Sequence, residues 1–145
     1  MYFNNETVLY LDGKFVKATE STTDLYGQTL HYGYGAFEGI RSYETEHGTK
    51  VFKAEEHYER LKKSCELVKI PFDYKVQELV EATYELLEKN NLKNAYIRPL
   101  VYCAPNMSLT KPTSVSLVIA VWDWGAYLGE KLLRVTVSSY CRPHP

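Results

Sequence analysis

The sequence predicts an α+β domain of two layers, in which a largely antiparallel sheet carries two helices on one face. Three observations lead there. Short apolar runs joined by tight turns open the chain, two amphipathic stripes follow each other in its middle, and three further apolar runs close it. Strands and helices that come in blocks, without alternating, favour α+β over a parallel βαβ sheet.

The first block holds two hairpins. Val8–Leu11 and Lys14–Val16 flank Asp12-Gly13, a pair that favours the tight turn of a two-residue hairpin. Thr19–Asp24 is polar and turn-like. Ala36–Tyr43 reads as one strand, His47-Gly48 as a turn, and Val51-Phe52 as the returning strand. The spacing then changes. Ala54, Tyr58, Leu61, Cys65 and Val68 fall on one helical stripe, with Glu55 and Glu56 in the first turn, where the helix dipole favours negative charge. A second stripe runs through Val76, Leu79, Val80, Thr83, Leu86 and Leu87. Asn90-Asn91 closes it, because asparagine tolerates the left-handed conformation. Each amphipathic helix needs a flat apolar partner. The last block predicts strands over Ala95–Cys103, Ser114–Trp122 and Leu133–Ser139. The almost continuous apolar run Val115–Val121 fits a central strand buried on both faces. The tail Tyr140–Pro145 is extended and braked by prolines, and reads as the start of a connector. The expected division is therefore a domain over 1–139 and a connector beginning at 140–145.

Composition narrows the function. A net charge of −1 with scattered basic residues gives no footprint for nucleic acid or for an anionic membrane, and no apolar run is long enough to span a bilayer. The three cysteines, Cys65, Cys103 and Cys141, lie far apart and outside any metal-binding spacing. A reducing, cytoplasmic setting is expected from that usage. His31, His47, His57 and His144 form no cluster, and His57 reads most simply as a surface residue.

Four segments could carry chemistry. In His31–Arg41, Gly33, Gly35 and Gly39 bring backbone close to a ligand or to another chain. Their spacing is not that of a dinucleotide or phosphate loop, and a glycine-bent strand packed with aromatics is the plainer account. Arg60 lies off the first helical stripe with Glu56 one turn before it. It is either one half of an exposed ion pair or an arginine leaning over the sheet edge to hold a phosphate. Strand alternation sets Tyr96, Arg98 and Leu100 on one face, where Arg98 either pairs with a carboxylate of the protein or receives one from a ligand. Trp122, Trp124 and Tyr127 gather where a strand ends in a glycine loop, as pocket walls or as pins into the core.

Taken together and in this order, the segments resemble the fold type IV pyridoxal-phosphate enzymes, and among them the branched-chain amino acid aminotransferases. The likeness is carried by Tyr32–Arg41 with its Phe-Glu-Gly-Ile-Arg, by His-x-x-Arg-Leu at His57–Leu61, by Tyr-Ile-Arg-Pro-Leu at Tyr96–Leu100, and by Trp-Gly-Ala-Tyr-Leu-Gly at Trp124–Gly129. It covers essentially the whole chain. D-amino acid aminotransferases and aminodeoxychorismate lyases typically carry a Gly-Asp-Gly-Val type segment where this chain has Gly33–Phe37. The resemblance implies that Arg60 binds the phosphate of pyridoxal 5'-phosphate. Phe37, Trp124 and Tyr127 would wall a branched side-chain pocket, Tyr96 would lie near the substrate carboxylate, and Arg98 would receive the distal carboxylate of glutamate. Tyr32 and the Asn106–Leu109 loop are similar to parts that reach a neighbouring subunit's site, which implies a homo-oligomer.

The resemblance also implies an N-terminal part of a larger enzyme. That enzyme would move the amino group between leucine, isoleucine or valine and 2-oxoglutarate. Transamination needs a lysine that forms a Schiff base with the cofactor, and in the family it follows the segment resembling Val137–Pro145 by about ten residues. Complete relatives are about twice this length. None of the twelve lysines here resembles that residue. The expectation is an aminotransferase as the complete protein and no catalysis from these 145 residues alone. The competing expectations are a free-standing domain that binds a ligand or a protein without catalysis, or a relative of the D-amino acid aminotransferases and lyases.

Overall fold

The computed structural model describes residues 2–125 and 132–141. The chain opens with the hairpin β1 (Val8–Leu11) and β2 (Lys14–Lys17), a short 3-10 turn (Ala18–Glu20), and the five-residue helix α1 (Gln28–Tyr32). β3 (Gly35–Phe37), β4 (Ile40–Thr45) and β5 (Gly48–Val51) precede the paired helices α2 (Ala54–Leu67) and α3 (Val76–Lys89). The long strands β6 (Ala95–Cys103) and β7 (Val115–Asp123) follow. All strand pairings are antiparallel. The sheet runs β2-β1-β7-β6-β4-β5, with β3 also paired to β6. The α+β architecture with both long helices on one face is as the sequence predicts.

The elements form for the reasons the sequence offers. Asp12 and Gly13 both take positive φ, 46° and 86°, as the tight hairpin turn requires. The Asp12 carboxylate also accepts hydrogen bonds from Leu117 N at 2.7 Å and Tyr74 Oη at 2.8 Å, which ties the turn to β7 and to the segment before α3. Asn91 takes φ 51° just beyond α3. The stripes of α2 and α3 cover one face of the sheet, so that Tyr58, Leu61, Cys65, Leu79, Leu86 and Leu87 meet the alternate residues Ala95, Ile97, Val101, Leu117, Ile119 and Val121. Inside this layer Tyr58 Oη lies 2.5 Å from Thr83 Oγ1, and Thr83 donates to Leu79 O at 2.7 Å.

Four expectations need correction. Leu133–Ser139 forms no strand. Val135 and Val137 are almost fully exposed, and no strand of the sheet pairs with this segment among the described residues, so its β-forming side chains lack the ladder that would realise their propensity. β7 is buried on one face only, because both long helices pack on the same side, and Ser116, Val118 and Ala120 on the other face stay half covered. The helix α1 went unforeseen, being too short to show an apolar stripe.

The expected single strand Ala36–Tyr43 is two strands, β3 and β4, laid end to end along β6 and interrupted at Glu38-Gly39. Pro99 of β6 sits opposite the interruption. Its carbonyl accepts from Glu38 N at 3.0 Å, and proline has no N–H with which to return the bond.

Candidate active-site face

Because α2 and α3 occupy one side of the sheet, the site is built on the other. Strand alternation turns Tyr96, Arg98, Leu100 and Tyr102 of β6 to that open face, opposite Trp122, Ala120, Val118 and Ser116 of β7. Phe37 and Arg41 project the same way from β3 and β4. Arg98 lies between two rings, 4.4 Å from the centroid of Phe37 and 5.2 Å from that of Tyr96, and its Nη2 donates to Tyr96 Oη at 2.8 Å. Tyr96 in turn packs between Trp122 and Trp124, each 4.9 Å away centroid to centroid. A cation stacked on aromatic faces keeps its charge while its apolar surroundings hold it still.

Two further residues shape this cluster. Arg41 donates from Nη2 to Trp124 O at 2.7 Å and from Nη1 to Gly125 O at 3.3 Å, so it fixes the strand end that carries Trp124. Gly39 provides room. A Cβ there would lie 3.1 Å from Tyr96 Cζ and closer still to its hydroxyl. Buried nitrogens at Arg98 Nε, Arg41 Nε and Trp122 Nε1 have no hydrogen-bond partner among the described residues.

The second part of the site is on the helix side of the same sheet edge. Since Phe37 and Gly39 face outward, Glu38 must face α2, and its side chain is only 5% exposed. Arg60 reaches over from α2 and donates to both carboxylate oxygens, Nε to Oε1 at 2.6 Å and Nη2 to Oε2 at 2.5 Å. His57 Nδ1 lies 2.9 Å from Oε2. Burial alone would push the Glu38 carboxyl up. The bonds and charges of Arg60 and His57 outweigh it and hold the group below the usual glutamate range. The Glu38 hydrogen bond and charge raise the Arg60 pKa further. Arg60 is therefore no Glu56 ion pair, since Glu56 pairs with Lys53. Its guanidinium is anchored on one edge, and its side chain is 64% exposed.

The structure thus brings together Phe37, Tyr96, Arg98 and Trp124, and it sets Arg60 on the adjoining corner. Tyr32 lies apart from them, where its hydroxyl donates to Met107 O at 3.0 Å beside the Asn106–Leu109 loop. Tyr127 lies outside the described residues. His57 is a partner of Glu38 and not a plain surface residue. Glu38 and Arg41 were given no role of their own from sequence, and Gly39 and Trp122, noted there with their neighbours, were not tied to Tyr96. The signal for Glu38 was there in the alternation, which puts a carboxylate on a buried face, where it requires a cation. Among the described residues no group of three or more His, Cys, Asp or Glu side chains could hold a metal ion, and no helix is long and apolar enough to cross a membrane.

The model of the family described as "Amino-transferase class IV" matches residues 35–145, which contain Arg60, Arg98, Trp124 and all of the Phe37–Arg41 segment. The chain belongs to the amino-transferase class IV family. A Pseudomonas aeruginosa protein named branched-chain-amino-acid aminotransferase is 40% identical to this class IV chain over 97% of the chain and 48% of its own length. The branched-chain aminotransferase of Thermoproteus uzoniensis, solved with norvaline, superposes with a TM-score of 0.87 at 34% identity, over 95% of this chain and 48% of that one. The branched-chain amino acid aminotransferase of Escherichia coli gives a TM-score of 0.82 at 36% identity, over 86% of this chain and 42% of that one. A further branched-chain amino acid aminotransferase, complexed with N-(5'-phosphopyridoxyl)-L-glutamate, gives a TM-score of 0.77 at 30% identity, over 82% of this chain and 41% of that one. The class IV chain thus spans about half the length of the curated relatives it matches. The sheet with two covering helices is the fold these structures share over that half.

Proposed function

We propose that this class IV domain supplies the substrate-pocket half of a pyridoxal 5'-phosphate-dependent aminotransferase, which exchanges the amino group between branched-chain L-amino acids and 2-oxoglutarate. The observation that carries this is Arg98 stacked on Phe37. One wall offers an apolar ring and a half-buried guanidinium at the same place, so one pocket can take a branched side chain and then a distal carboxylate. The similar structure solved with N-(5'-phosphopyridoxyl)-L-glutamate supports it, since that ligand joins the phosphopyridoxyl group to glutamate.

Each residue then has a task. Phe37 and Trp124, with Tyr127 beyond the described segment, wall the side-chain pocket. Tyr96 orients the substrate carboxylate, and Arg98 holds the distal carboxylate of glutamate. Arg60 fits the cofactor's phosphate, because it is charged, exposed and fixed on one edge. When bound, pyridoxal phosphate supplies the electron sink that lets the amino acid's α-proton leave. Residues 1–139 form the N-terminal domain in this scheme and 140–145 begin the connector. Tyr32 and the Asn106–Leu109 loop serve a neighbouring subunit of a homodimer. The three free cysteines favour the cytoplasm.

The test is transamination by the complete protein with leucine, isoleucine and valine as donors, set against D-alanine. Arg98→Ala is expected to lower kcat/KM for 2-oxoglutarate by about 100-fold, from the loss of charge-assisted bonds, and to leave leucine within about tenfold. Preference for D-alanine, or an equal loss for both substrates, would overturn the assignment. The 145-residue chain alone is expected to give no turnover, because none of its twelve lysines resembles the Schiff-base residue. Steady turnover by it would contradict this.

A further inference from the structure

The Glu38 corner holds more than a salt bridge. The two partners differ sharply in exposure, 5% for the Glu38 side chain and 64% for that of Arg60. Glu38 is held at its backbone and from two side chains. Its backbone N–H is bonded to Pro99 O in the sheet at 3.0 Å, His57 Nδ1 stands 2.9 Å from Oε2, and Arg60 closes the pair. The guanidinium has five N–H groups. Nε–H and one Nη2–H are taken by Glu38, and Nη2 also lies 3.3 Å from His57 Nδ1, which faces the same Glu38 oxygen. One N–H of Nη1 and the second of Nη2 point along the neighbouring edge of the same plane. That edge is a second fork, with the geometry that matches two oxygens of a phosphate.

We propose that Glu38 is a positioning residue that grips Arg60 along its Nε–Nη2 edge and so presents the Nη1–Nη2 edge to the cofactor's phosphate, a role that rests on Arg60 being the phosphate arginine. Both contacts coexist, since they use different hydrogens, and Arg60 need not release Glu38 to take up phosphate. The carboxylate has two opposed effects. It lowers the net charge that the phosphate meets, and it removes the rotamer freedom that an exposed arginine would otherwise lose on binding. The second prevails. Arg60 lies largely in water, where its attraction for a dianion is screened, while an arginine carries much side-chain entropy to be lost. His57, one helical turn before Arg60, keeps the carboxylate plane from rotating away.

The experiment compares two ligands that differ only in the phosphate, pyridoxal 5'-phosphate and pyridoxal. Each is titrated by absorbance into the complete protein stripped of cofactor. The readout is the ratio of the two affinities. Wild type is expected to favour the phosphorylated form strongly, and Arg60→Ala to abolish most of that preference. Glu38→Gln is expected to lower affinity for pyridoxal 5'-phosphate by about tenfold and for pyridoxal by less than about twofold. Glu38→Asp, which keeps the charge but is one carbon too short to hold both bonds, should behave the same way and serves if Glu38→Gln folds poorly. In the Arg60→Ala background Glu38→Gln should leave the ratio unchanged while raising Tm, because no buried carboxylate is then left without its cation.

Glu38 has no positioning role if Glu38→Gln leaves pyridoxal 5'-phosphate affinity intact, if it weakens both ligands equally, or if its effect on the ratio adds in full to that of Arg60→Ala. If instead wild type shows no preference for the phosphorylated ligand, or Arg60→Ala does not reduce it, then the phosphate assignment of Arg60 fails first and the role of Glu38 fails with it.

Discussion

Replacing Gly39 with alanine tests how tightly the pocket is assembled. Gly39 does not occupy the left-handed region, so an alanine backbone is allowed there, and the position is reserved for space alone. The added Cβ would meet the Tyr96 hydroxyl far inside contact and Tyr96 Cζ at 3.1 Å, against an ordinary contact of 3.4–4 Å. To restore contact the hydroxyl must retreat by about 1 Å, a displacement on the scale that costs a catalytic site roughly 100-fold. The tip of a tyrosine usually yields cheaply. This one is held between Trp122 and Trp124 and accepts from Arg98 Nη2, so its movement disturbs four side chains together. Overpacking of this kind costs about 1–3 kcal/mol. The expected outcome for Gly39→Ala in the complete protein is a fall of about 100-fold in kcat/KM for leucine, with altered near-ultraviolet circular dichroism from the tryptophan pair. In a Tyr96→Phe background, where the clashing oxygen is gone, the same substitution should cost clearly less stability. Unchanged turnover, or an equal stability cost in both backgrounds, would refute the claim that Gly39 seats Tyr96.

The buried Tyr58–Thr83 contact predicts an asymmetry. Thr83 spends its hydrogen on Leu79 O, so Tyr58 must be the donor between them. Tyr58→Phe then costs about 1 kcal/mol, whereas Thr83→Val strands a buried hydroxyl at about 1–3 kcal/mol. The reverse order in urea unfolding would show that the hydrogens are assigned wrongly. Glu38 predicts an acid limb. Its folded carboxyl titrates below its unfolded value, so its contribution is complete above the ordinary glutamate pKa of about 4.3 and is lost as pH falls through the lower folded value. The difference in Tm between wild type and Glu38→Gln should shrink as pH is lowered from 7 to 3, and a constant difference would exclude ionised Glu38 as its source. Burial pushes the Cys65 thiol up to about 11 and raises that of Cys103, while Cys141 is exposed. A disulfide reagent should therefore label one thiol in the native protein and none in Cys141→Ser, and rapid labelling of all three would mean that the helix layer opens readily.

The sequence revealed most where local rules and packing agree. The Asp12-Gly13 turn, both helical stripes and the alternation in Tyr96–Cys103 each obey one period or one turn chemistry, and each formed as read, save that Val68 lies just past α2 and is exposed. It misled where a partner decides the outcome. Leu133–Ser139 has strand composition, but a strand exists only in a ladder. The apolar run of β7 marks two faces to be covered, and the helices cover one. The pocket residues Phe37, Tyr96, Arg98 and Trp124 were legible as a set through the resemblance, and the structure gathers them. Glu38 and His57 stayed hidden because their meaning depends on a contact across 19 and 22 residues, to α2, that no local spacing encodes.

The break at Glu38-Gly39 explains why so much depends on five residues. Phe37 turns outward beneath Arg98, Glu38 turns inward to Arg60, and Gly39 turns outward but empty, so that Tyr96 fits. Ile40 turns inward to the core opposite Ile97, and Arg41 turns outward to hold the strand end at Trp124. Both sides of the sheet are thus organised from one short segment of period two, and Pro99, which has no N–H to give, stands at the point where that segment leaves the ladder. Single substitutions should damage one function each. An inserted residue should damage all of them, since it would exchange the faces and set a carboxylate beneath Arg98 and a ring against the helix corner. The grouping of the proposed pocket residues with the carboxylate that holds Arg60 on one pentapeptide therefore follows from the pleat itself: neighbouring residues of a strand serve opposite faces, and here each face carries half of the proposed site.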